Sequence, residues 1–224
     1  MKSHSQLSLL ILALSLCAGV SASSIDDVRL KAEQGDASAQ FELAMAYDQG
    51  TGVKKDAVAA ANWCLKAAEQ GLAPAQNCIG SMLQFGDGVA QDDAAAVSWY
   101  EKAAAQGYGE SYTNLAYMYD LGKGVPQDRA KAVDLYRKGA ETGSVNAMFN
   151  LGITFWKGTG VPADRVEAYM WLDLARFYTQ RSNDMRVKWS VRGALDELQK
   201  EMSRSEISEG ERRAQEWDAA HRPM

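Results

Sequence analysis

The chain has 224 residues, of which 46% are hydrophobic and 24% charged, and its formal net charge is −5. This acidic balance carries no basic stripe for the phosphates of a nucleic acid or for anionic lipid, so we expect no partner of either kind. The length allows one elongated domain and requires no second fold.

The first 22 residues have the pattern of a secretory signal peptide. Lys2 precedes an apolar stretch over residues 7–16, and residues 20–22 (Val-Ser-Ala) form a small-residue cleavage pattern. We therefore expect cleavage after Ala22 and a mature protein, without a membrane span, that is periplasmic or secreted. An uncleaved anchor is the alternative, although the apolar stretch is short beside the roughly 20 residues that cross a bilayer. Lipidation of Cys17 is not expected, because a leucine precedes it.

Residues 23–34 are predicted to form an N-terminal capping helix, and an array of repeats follows it. Glycines recur at one fixed spacing of 36 residues, at two places in the period. They are Gly35, Gly71, Gly107 and Gly143, and then Gly52, Gly88, Gly124 and Gly160. A period of this size with two helical stretches predicts units that bury their apolar faces against their neighbours. The predicted units are residues 35–70, 71–106, 107–142 and 143–178.

Each unit carries signals for two helices. In the first helix a small residue follows the core leucine or isoleucine, as Gly80 follows Ile79, which would let the two helices of a unit approach closely. A glycine suited to the left-handed conformation then ends this helix, at Gly50, Gly86, Gly122 and Gly158. An aspartate N-cap opens the second helix, at Asp56, Asp92, Asp128 and Asp164. Asp164 and Glu167 also have capping-box spacing.

The second helices carry tryptophan at one position, in Trp63, Trp99 and Trp171, among recurring alanines. Large rings that fill the gaps left by alanines are typical of a core, so we assign them to structure and not to a ligand cage. Loss of the signal peptide leaves Cys64 and Cys78 in what should be an oxidising compartment. The sequence leaves open whether they form a disulfide or stay as two separate thiols.

Residues 179–224 are predicted to form C-terminal capping helices and a tail. Helices are expected over residues 184–201 and 204–218, and Ser203 with Glu206 three residues later opens the second of them. Polar caps of this kind keep the end of an array soluble.

The repeated pattern is Ala-x-x-x-Leu-Gly, then Gly-x-Gly-Val-x-x-Asp, then Ala-x-x-Trp-Tyr-x-Lys-Ala-Ala-x-x-Gly, and it stands most fully in residues 95–107 and 111–128. It resembles the Sel-one-like repeat (SLR) family, which is related to tetratricopeptide repeats. The resemblance covers residues 35 to about 178. It implies an all-α fold, a right-handed α-solenoid of four helix-turn-helix repeats whose first helices line a concave face.

The resemblance also implies where a partner would bind. In related repeats, an asparagine just before the core leucine or isoleucine of the first helix commonly hydrogen-bonds an extended peptide, and Asn114 and Asn150 hold this position. Glu42 and Cys78 hold it in the first two units, which moves the predicted site to the C-terminal half. The neighbouring groove candidates are Phe41, Met45, Tyr117, Asp120, Phe149 and Trp156. The alternative is that all of these are ordinary solvated or half-buried helix positions.

We therefore predict an extracytoplasmic, monomeric scaffold or adaptor that binds a protein or peptide and is not an enzyme. No cofactor or metal site is expected, because the mature chain has one histidine, His221, in its tail. One alternative is a secreted factor that binds a host protein. The other is an envelope enzyme such as a β-lactam-binding or hydrolysing protein, as suggested for cysteine-rich relatives, although the chain contains no Ser-x-x-Lys.

Overall fold

The computed structural model describes residues 24–180 and 185–221, so the predicted signal peptide lies outside the described residues. Within these ranges the chain forms eleven α-helices and no strand, and 76% of the residues are helical. The helices are α1 (Ile25–Glu33), α2 (Ala37–Gln49), α3 (Ala57–Glu69), α4 (Ala73–Phe85), α5 (Asp93–Ala105), α6 (Gly109–Leu121), α7 (Arg129–Glu141), α8 (Val145–Lys157), α9 (Arg165–Thr179), α10 (Met185–Gln199) and α11 (Arg204–His221). Across the described ranges, no helix combines the length and apolarity that a membrane crossing needs.

The predicted α-solenoid is confirmed, and the predicted caps set its helix boundaries. The first helices of the units are α2, α4, α6 and α8, and each ends at a glycine with a φ between 66° and 74°. The second helices α3, α5, α7 and α9 each begin after an aspartate whose side chain accepts a backbone N–H in the first turn. Only half of the expected capping box forms at Asp164. Its carboxylate accepts the Glu167 N–H at 3.0 Å, while the Glu167 side chain accepts the indole N–H of Trp171.

Small residues let the two helices of a unit pack closely. A Cβ added at Gly80 on α4 would lie 2.7 Å from Cε1 of Tyr100 on α5, and one added at Gly152 on α8 would collide with Leu172 on α9. Both partners are fully buried. The explanation that the sequence offers for these helical glycines is therefore confirmed.

Successive units meet through the second loop glycine of each period. The space beside Gly88 is filled by the backbone at the start of α3, and the space beside Gly124 by the backbone at the start of α5. Gly52 makes the corresponding contact with Ile25, the first residue of α1. Helix α1 therefore takes the place of the second helix of a preceding unit.

The first helices form the inner, concave row of the array. Helix α6 contacts α8, α8 contacts α10, and Ser111 and Asn114 of α6 donate to Asn77 of α4. The second helices α5, α7 and α9 meet one another less, and α7 reaches α9 through the ion pair of Arg137 with Glu167. A curved array brings the elements at its inner radius closer together, so the closer row is the concave one. Helix α10 continues this row past the fourth unit.

Helix α11 turns back and packs along α9. The rings of Trp217 and Trp171 meet edge to face at 5.4 Å, and the Tyr178 hydroxyl donates to Asp218 at 2.9 Å. The capping box predicted for this helix forms, since the Ser203 N–H donates to a Glu206 carboxylate oxygen at 2.7 Å and the Glu206 N–H donates back to the Ser203 hydroxyl at 3.3 Å. Helix α11 thereby covers apolar surface of the last repeat that would otherwise face solvent.

Candidate functional site

A depression of about 390 Å³ opens between α2 and α4 on the concave face. Phe41 and Met45 of α2 form one wall, and Asn77, Cys78 and Met82 of α4 form the other. The remaining lining residues are Ala44, Asp48, Pro74, Ser81, Asp87, Tyr108 and Glu110. We call this surface the α2–α4 depression.

Helical spacing produces the two walls. Phe41, Met45 and Asp48 recur at intervals of four and three, which places them on one face of α2. Asn77 and Ser81 repeat the interval of four on α4. Because Phe41 and Met45 are half-buried, the depression offers apolar surface that is not fully covered by the chain itself.

Asn77 is held at the wall by two residues of the next unit. The Ser111 hydroxyl and the Asn114 side-chain amide both donate to Oδ1 of Asn77, each at 2.9 Å. Within the described ranges the Nδ2 of Asn77 has no hydrogen-bond partner, so it remains able to donate. The arrangement presents an oriented amide donor beside the apolar walls.

Asn77 is not among the residues that the sequence predicts for the groove, and the role of Asn114 differs from the predicted one. In the second unit, the position of the peptide-binding asparagine of related repeats is held by Cys78, and Asn77 lies one residue before it. A comparison of equivalent positions therefore does not identify Asn77. Asn114 donates to Asn77 and supports it, while the Oδ1 of Asn114 has no partner among the described residues. The one sequence signal is a side-chain amide at a position that holds Phe41, Thr113 and Phe149 in the other units.

Cys78 joins this wall to the preceding second helix. The structure bonds Cys78 to Cys64 of α3, with the two Cα atoms 6.4 Å apart. Cys64 is fully buried, whereas Cys78 lines the depression. Of the two alternatives left open by the sequence, the structure therefore contains the disulfide, which ties α4 to α3.

A tyrosine fixes the carboxylate at one end of the depression. The Tyr108 hydroxyl donates to an oxygen of Glu110 at 3.0 Å. Burial, followed by the charge and the hydrogen bond of Glu110, raises the pKa of Tyr108 to about 12. Tyr108 therefore stays protonated at neutral pH and keeps its donor toward Glu110.

The predicted groove residues of the C-terminal half lie away from this depression. Asn150 is half-buried on α8 and makes no side-chain hydrogen bond within the described ranges. Phe149 packs against the large core cluster of the C-terminal half. Tyr117 is 39% exposed, with the Lys123 ammonium 5.9 Å from its ring centroid.

Two other predicted groove residues are engaged within the chain. The Asp120 carboxylate lies 3.5 Å from Nε of Arg129 at the start of α7. The Trp156 indole donates to Glu201 at 3.4 Å, because the segment after α10 returns to the end of α8. Asp120 and Trp156 therefore hold the chain's own elements together, whereas Phe41 and Met45 line an opening between two first helices in the N-terminal half.

Among residues 24–180 and 185–221, no group of three or more His, Cys, Asp or Glu side chains is arranged to hold a metal ion. The α2–α4 depression presents apolar side chains, an amide and carboxylates.

The fold and this concave surface define the class, an α-solenoid of helix-turn-helix repeats. The family model for the Sel1 repeat matches residues 37–72, 73–108, 109–144 and 145–176, which is more than half of the chain. The chain belongs to the Sel1 repeat family. Proteins built from these repeats generally act as scaffolds for protein–protein interactions, and their fold is typically non-enzymatic.

Solved structures agree with this assignment. A protective antigen present in uropathogenic Escherichia coli strains, with an SLR fold, is 33% identical with a TM-score of 0.79, over 88% of this chain and 41% of that chain. A Sel1 repeat protein from Oxalobacter formigenes is 30% identical with a TM-score of 0.66, over 78% of this chain and 75% of that one. A third, from Klebsiella pneumoniae subsp. pneumoniae, shares the fold at 21% identity and a TM-score of 0.56, over 86% of this chain and 100% of that one. No curated protein matches the chain.

Proposed function

We propose that this protein is an extracytoplasmic scaffold or adaptor that binds a protein or peptide on the concave face formed by α2, α4, α6 and α8. The observation that carries the proposal is the α2–α4 depression, where half-buried Phe41 and Met45 lie opposite the amide of Asn77. An extended peptide needs such a combination, because its backbone has to be hydrogen-bonded while its side chains bury apolar surface.

The free energies of hydrogen bonds indicate that the partner has to contact more of the concave face than its asparagine amides. A neutral hydrogen bond contributes about 0.5 to 1.5 kcal/mol net, whereas a micromolar complex needs about 8 kcal/mol. Asn77, Asn114 and Asn150 together fall short of this free energy. Burial of the partner's apolar side chains against Phe41, Met45 and Met82 would have to supply the rest.

Two observations support a location outside the cytoplasm. Residues 1–22 have the composition of a cleavable signal peptide, and the structure contains a disulfide between Cys64 and Cys78, which persists in oxidising compartments. Cell fractionation followed by N-terminal sequencing tests this part of the proposal. We expect the exported protein to begin at Ser23, and a cytoplasmic protein that begins at residue 1 would contradict it.

Site-specific photo-crosslinking in cells tests the binding face. A photoreactive phenylalanine analogue at Met45 is expected to capture one dominant partner, while the same probe at Val58, which is 58% exposed on α3 in the outer row, should not. The partner is identified by mass spectrometry. Equal capture by both probes would contradict binding on the concave face.

A second crosslinking comparison separates the two halves of that face. Phe41→Ala removes a wall of the α2–α4 depression, and the double variant Tyr117→Ala, Asn150→Ala alters the C-terminal half. Asn114 is left unchanged because its amide supports Asn77. Melting temperatures are matched before comparison. We expect Phe41→Ala to reduce capture at Met45 at least as strongly as the double variant does, and the reverse order would place the site in the C-terminal half.

One observation favours a second candidate function, a secreted factor that binds a host protein. The relative that is 33% identical is a protective antigen present in uropathogenic Escherichia coli strains. Recovery of the mature protein from culture medium instead of the periplasm would support this candidate over an envelope scaffold.

A further inference from the structure

The positive charges of the repeats are distributed unequally between the two rows of helices. Helices α2, α4 and α6 contain no lysine or arginine, and α8 contains only Lys157, its last residue. The cations of the outer second helices are Lys66, Lys102, Arg129, Lys131, Arg137, Lys138, Arg165 and Arg176. The first helices of the repeats are therefore almost free of positive charge, although the second helices are not, and α10, which continues the inner row, carries Arg186, Lys188 and Arg192.

Carboxylates on the concave side are left without cations where the α2–α4 depression opens. Asp48, Asp87 and Glu110 line it, and no lysine or arginine does. None of the three forms a salt bridge within the described ranges. Asp120, further along the row, differs because it faces Arg129 at 3.5 Å.

These carboxylates surround an apolar surface. The walls of the depression bring Phe41, Met45 and Met82 together, so a ligand that enters it meets hydrocarbon and sulfur in the centre and negative charge at the edge. Solubility alone would be served equally well by carboxylates on the outer row, and it does not require an absence of cations from the inner one. Like charges around a partly dehydrated surface repel one another, and a cationic ligand would relieve that repulsion.

We infer that the partner presents a basic, extended segment to the α2–α4 depression, with an apolar side chain against Phe41, Met45 and Met82 and flanking lysine or arginine side chains near Asp48, Asp87 and Glu110. The inference rests on the proposed function, and it adds the chemistry of the partner. In an extended chain successive side chains point to opposite sides, so one backbone register can present apolar and basic residues while a carbonyl accepts from Nδ2 of Asn77.

Selection from a displayed library of random 12-residue peptides tests the inference, with the mature chain, residues 23–224, as bait. The same library is selected against a depression variant, Asp48→Asn, Asp87→Asn, Glu110→Gln. A matched control is Glu69→Gln, Asp134→Asn, Glu141→Gln, which removes three exposed carboxylates from outer helices α3 and α7 and changes the net charge equally. In Glu110→Gln the amide oxygen can still accept from Tyr108, so the local structure is retained.

We expect peptides selected by the native chain and by the control to be enriched in Lys and Arg over Asp and Glu, and peptides selected by the depression variant to lose that enrichment. The most enriched peptide is then synthesised and its affinity measured by fluorescence anisotropy. Three lost charge pairs predict an affinity roughly tenfold weaker for the depression variant, and less than twofold weaker for the control. Binding to the native chain should also weaken as the salt concentration rises from 50 to 500 mM, because salt screens these charge pairs.

The outcomes separate the inference from the proposed function. Peptides that bind without basic enrichment, and whose affinity still falls with Phe41→Ala, would overturn the inference and leave peptide binding in the depression intact. Basic peptides whose affinity falls equally in the depression variant and the control would overturn the inference as well, because they would report net charge alone. A library from which no peptide is enriched would count against both.

Discussion

At the scale of single residues, the loop glycines divide into those that need only a backbone conformation and those that also need space. Gly107 and Gly124 both have positive φ, at +81° and +68°. A Cβ at Gly107 would meet no heavy atom within 4 Å, whereas one at Gly124 would collide with the backbone of Asp93 and Ala94 in the preceding unit. The second kind of glycine therefore maintains the contact between repeats.

Substitution by alanine separates the two requirements. Gly107→Ala is expected to destabilise the fold by about 1 to 2 kcal/mol, the cost of a left-handed conformation for an L-residue. Gly124→Ala should cost a further 1 to 3 kcal/mol or so, because the added methyl group overpacks the repeat interface, and Gly124→Val should cost more. Urea unfolding monitored by circular dichroism measures all three. Equal effects at the two sites would mean that the loop gives way without straining the interface.

The caps of the repeats could be predicted from the sequence because they are local. The side chain of an N-cap aspartate such as Asp128 accepts from an N–H only three residues away. A terminal glycine such as Gly122 adopts its left-handed conformation because it has no Cβ. Asn77 could not be predicted in this way. Its partners Ser111 and Asn114 are 34 and 37 residues away. The interaction therefore joins non-equivalent positions of two units, whereas an alignment at 36 residues pairs only equivalent ones.

At the scale of elements, the helices of the C-terminal cap were predictable but their docking was not. Helices expected over residues 184–201 and 204–218 correspond to α10 and α11. They could be predicted because their amphipathic patterns and the Ser203 cap depend only on residues close together in the sequence. That α11 lies along α9 depends on Trp217 reaching Trp171, 46 positions earlier in the chain. The same long-range packing accounts for Trp156, which the sequence placed in a groove and the structure places against Glu201.

Acid should weaken α11. Hydrogen bonds from Arg212 and Arg213 lower the pKa of Glu209 from its ordinary 4.5 to about 2, and hydrogen bonds from Ser203 lower the pKa of Glu206. Because the folded-state pKa lies below that of the unfolded chain, this stabilisation is complete above about pH 4.5 and is lost as the pH falls toward 2. Both side chains remain partly accessible to solvent, which screens their charges, so we expect a shallow effect.

Urea midpoints at pH 7, 4 and 3 measure this loss, with two variants as comparisons. Glu209→Gln should reduce the fall in midpoint between pH 7 and pH 3, because it removes the carboxylate that has to be protonated. Glu211→Gln is the control on the same helix, since Glu211 forms no ion pair within the described ranges. A fall that is unchanged by Glu209→Gln would show that acid acts on other carboxylates first.

At the scale of the whole molecule, the buried core changes in character along the array. The N-terminal cluster consists of Val28, Ala32, Ala39 and Leu43, and the next is made mainly of alanines with Cys64, Ile79 and Met82. The third cluster extends from α5 to α11 and includes Tyr100, Tyr136, Phe155, Tyr169 and Trp171. Burial stabilises in proportion to apolar area, at roughly 25 cal/mol per Å², so the C-terminal interfaces should be the stronger ones.

The disulfide lies in the part of the array with the smaller side chains. It links α3 to α4, the two helices on either side of the first interface between repeats. A loop of about 15 residues closed by a disulfide contributes about 3 kcal/mol, chiefly by restricting the unfolded chain. Stability in a repeat array is close to a sum over units and their nearest-neighbour interfaces, so this contribution should remain local.

Hydrogen exchange measured by mass spectrometry should therefore show a gradient along the chain. We expect backbone amides of α1 and α2 to exchange first and those of α8 and α9 last, because a nearest-neighbour array can open from its weaker end without unfolding the stronger one. Reduction of the Cys64–Cys78 bond should accelerate exchange in α3 and α4, by up to about two orders of magnitude for about 3 kcal/mol, and leave α8 and α9 unchanged. The double variant Cys64→Ala, Cys78→Ala is the control, since a reductant should not alter its exchange. If all the helices exchanged at one rate, and reduction accelerated them together, the array would unfold as a single cooperative unit and the local contribution of the disulfide would be disproved.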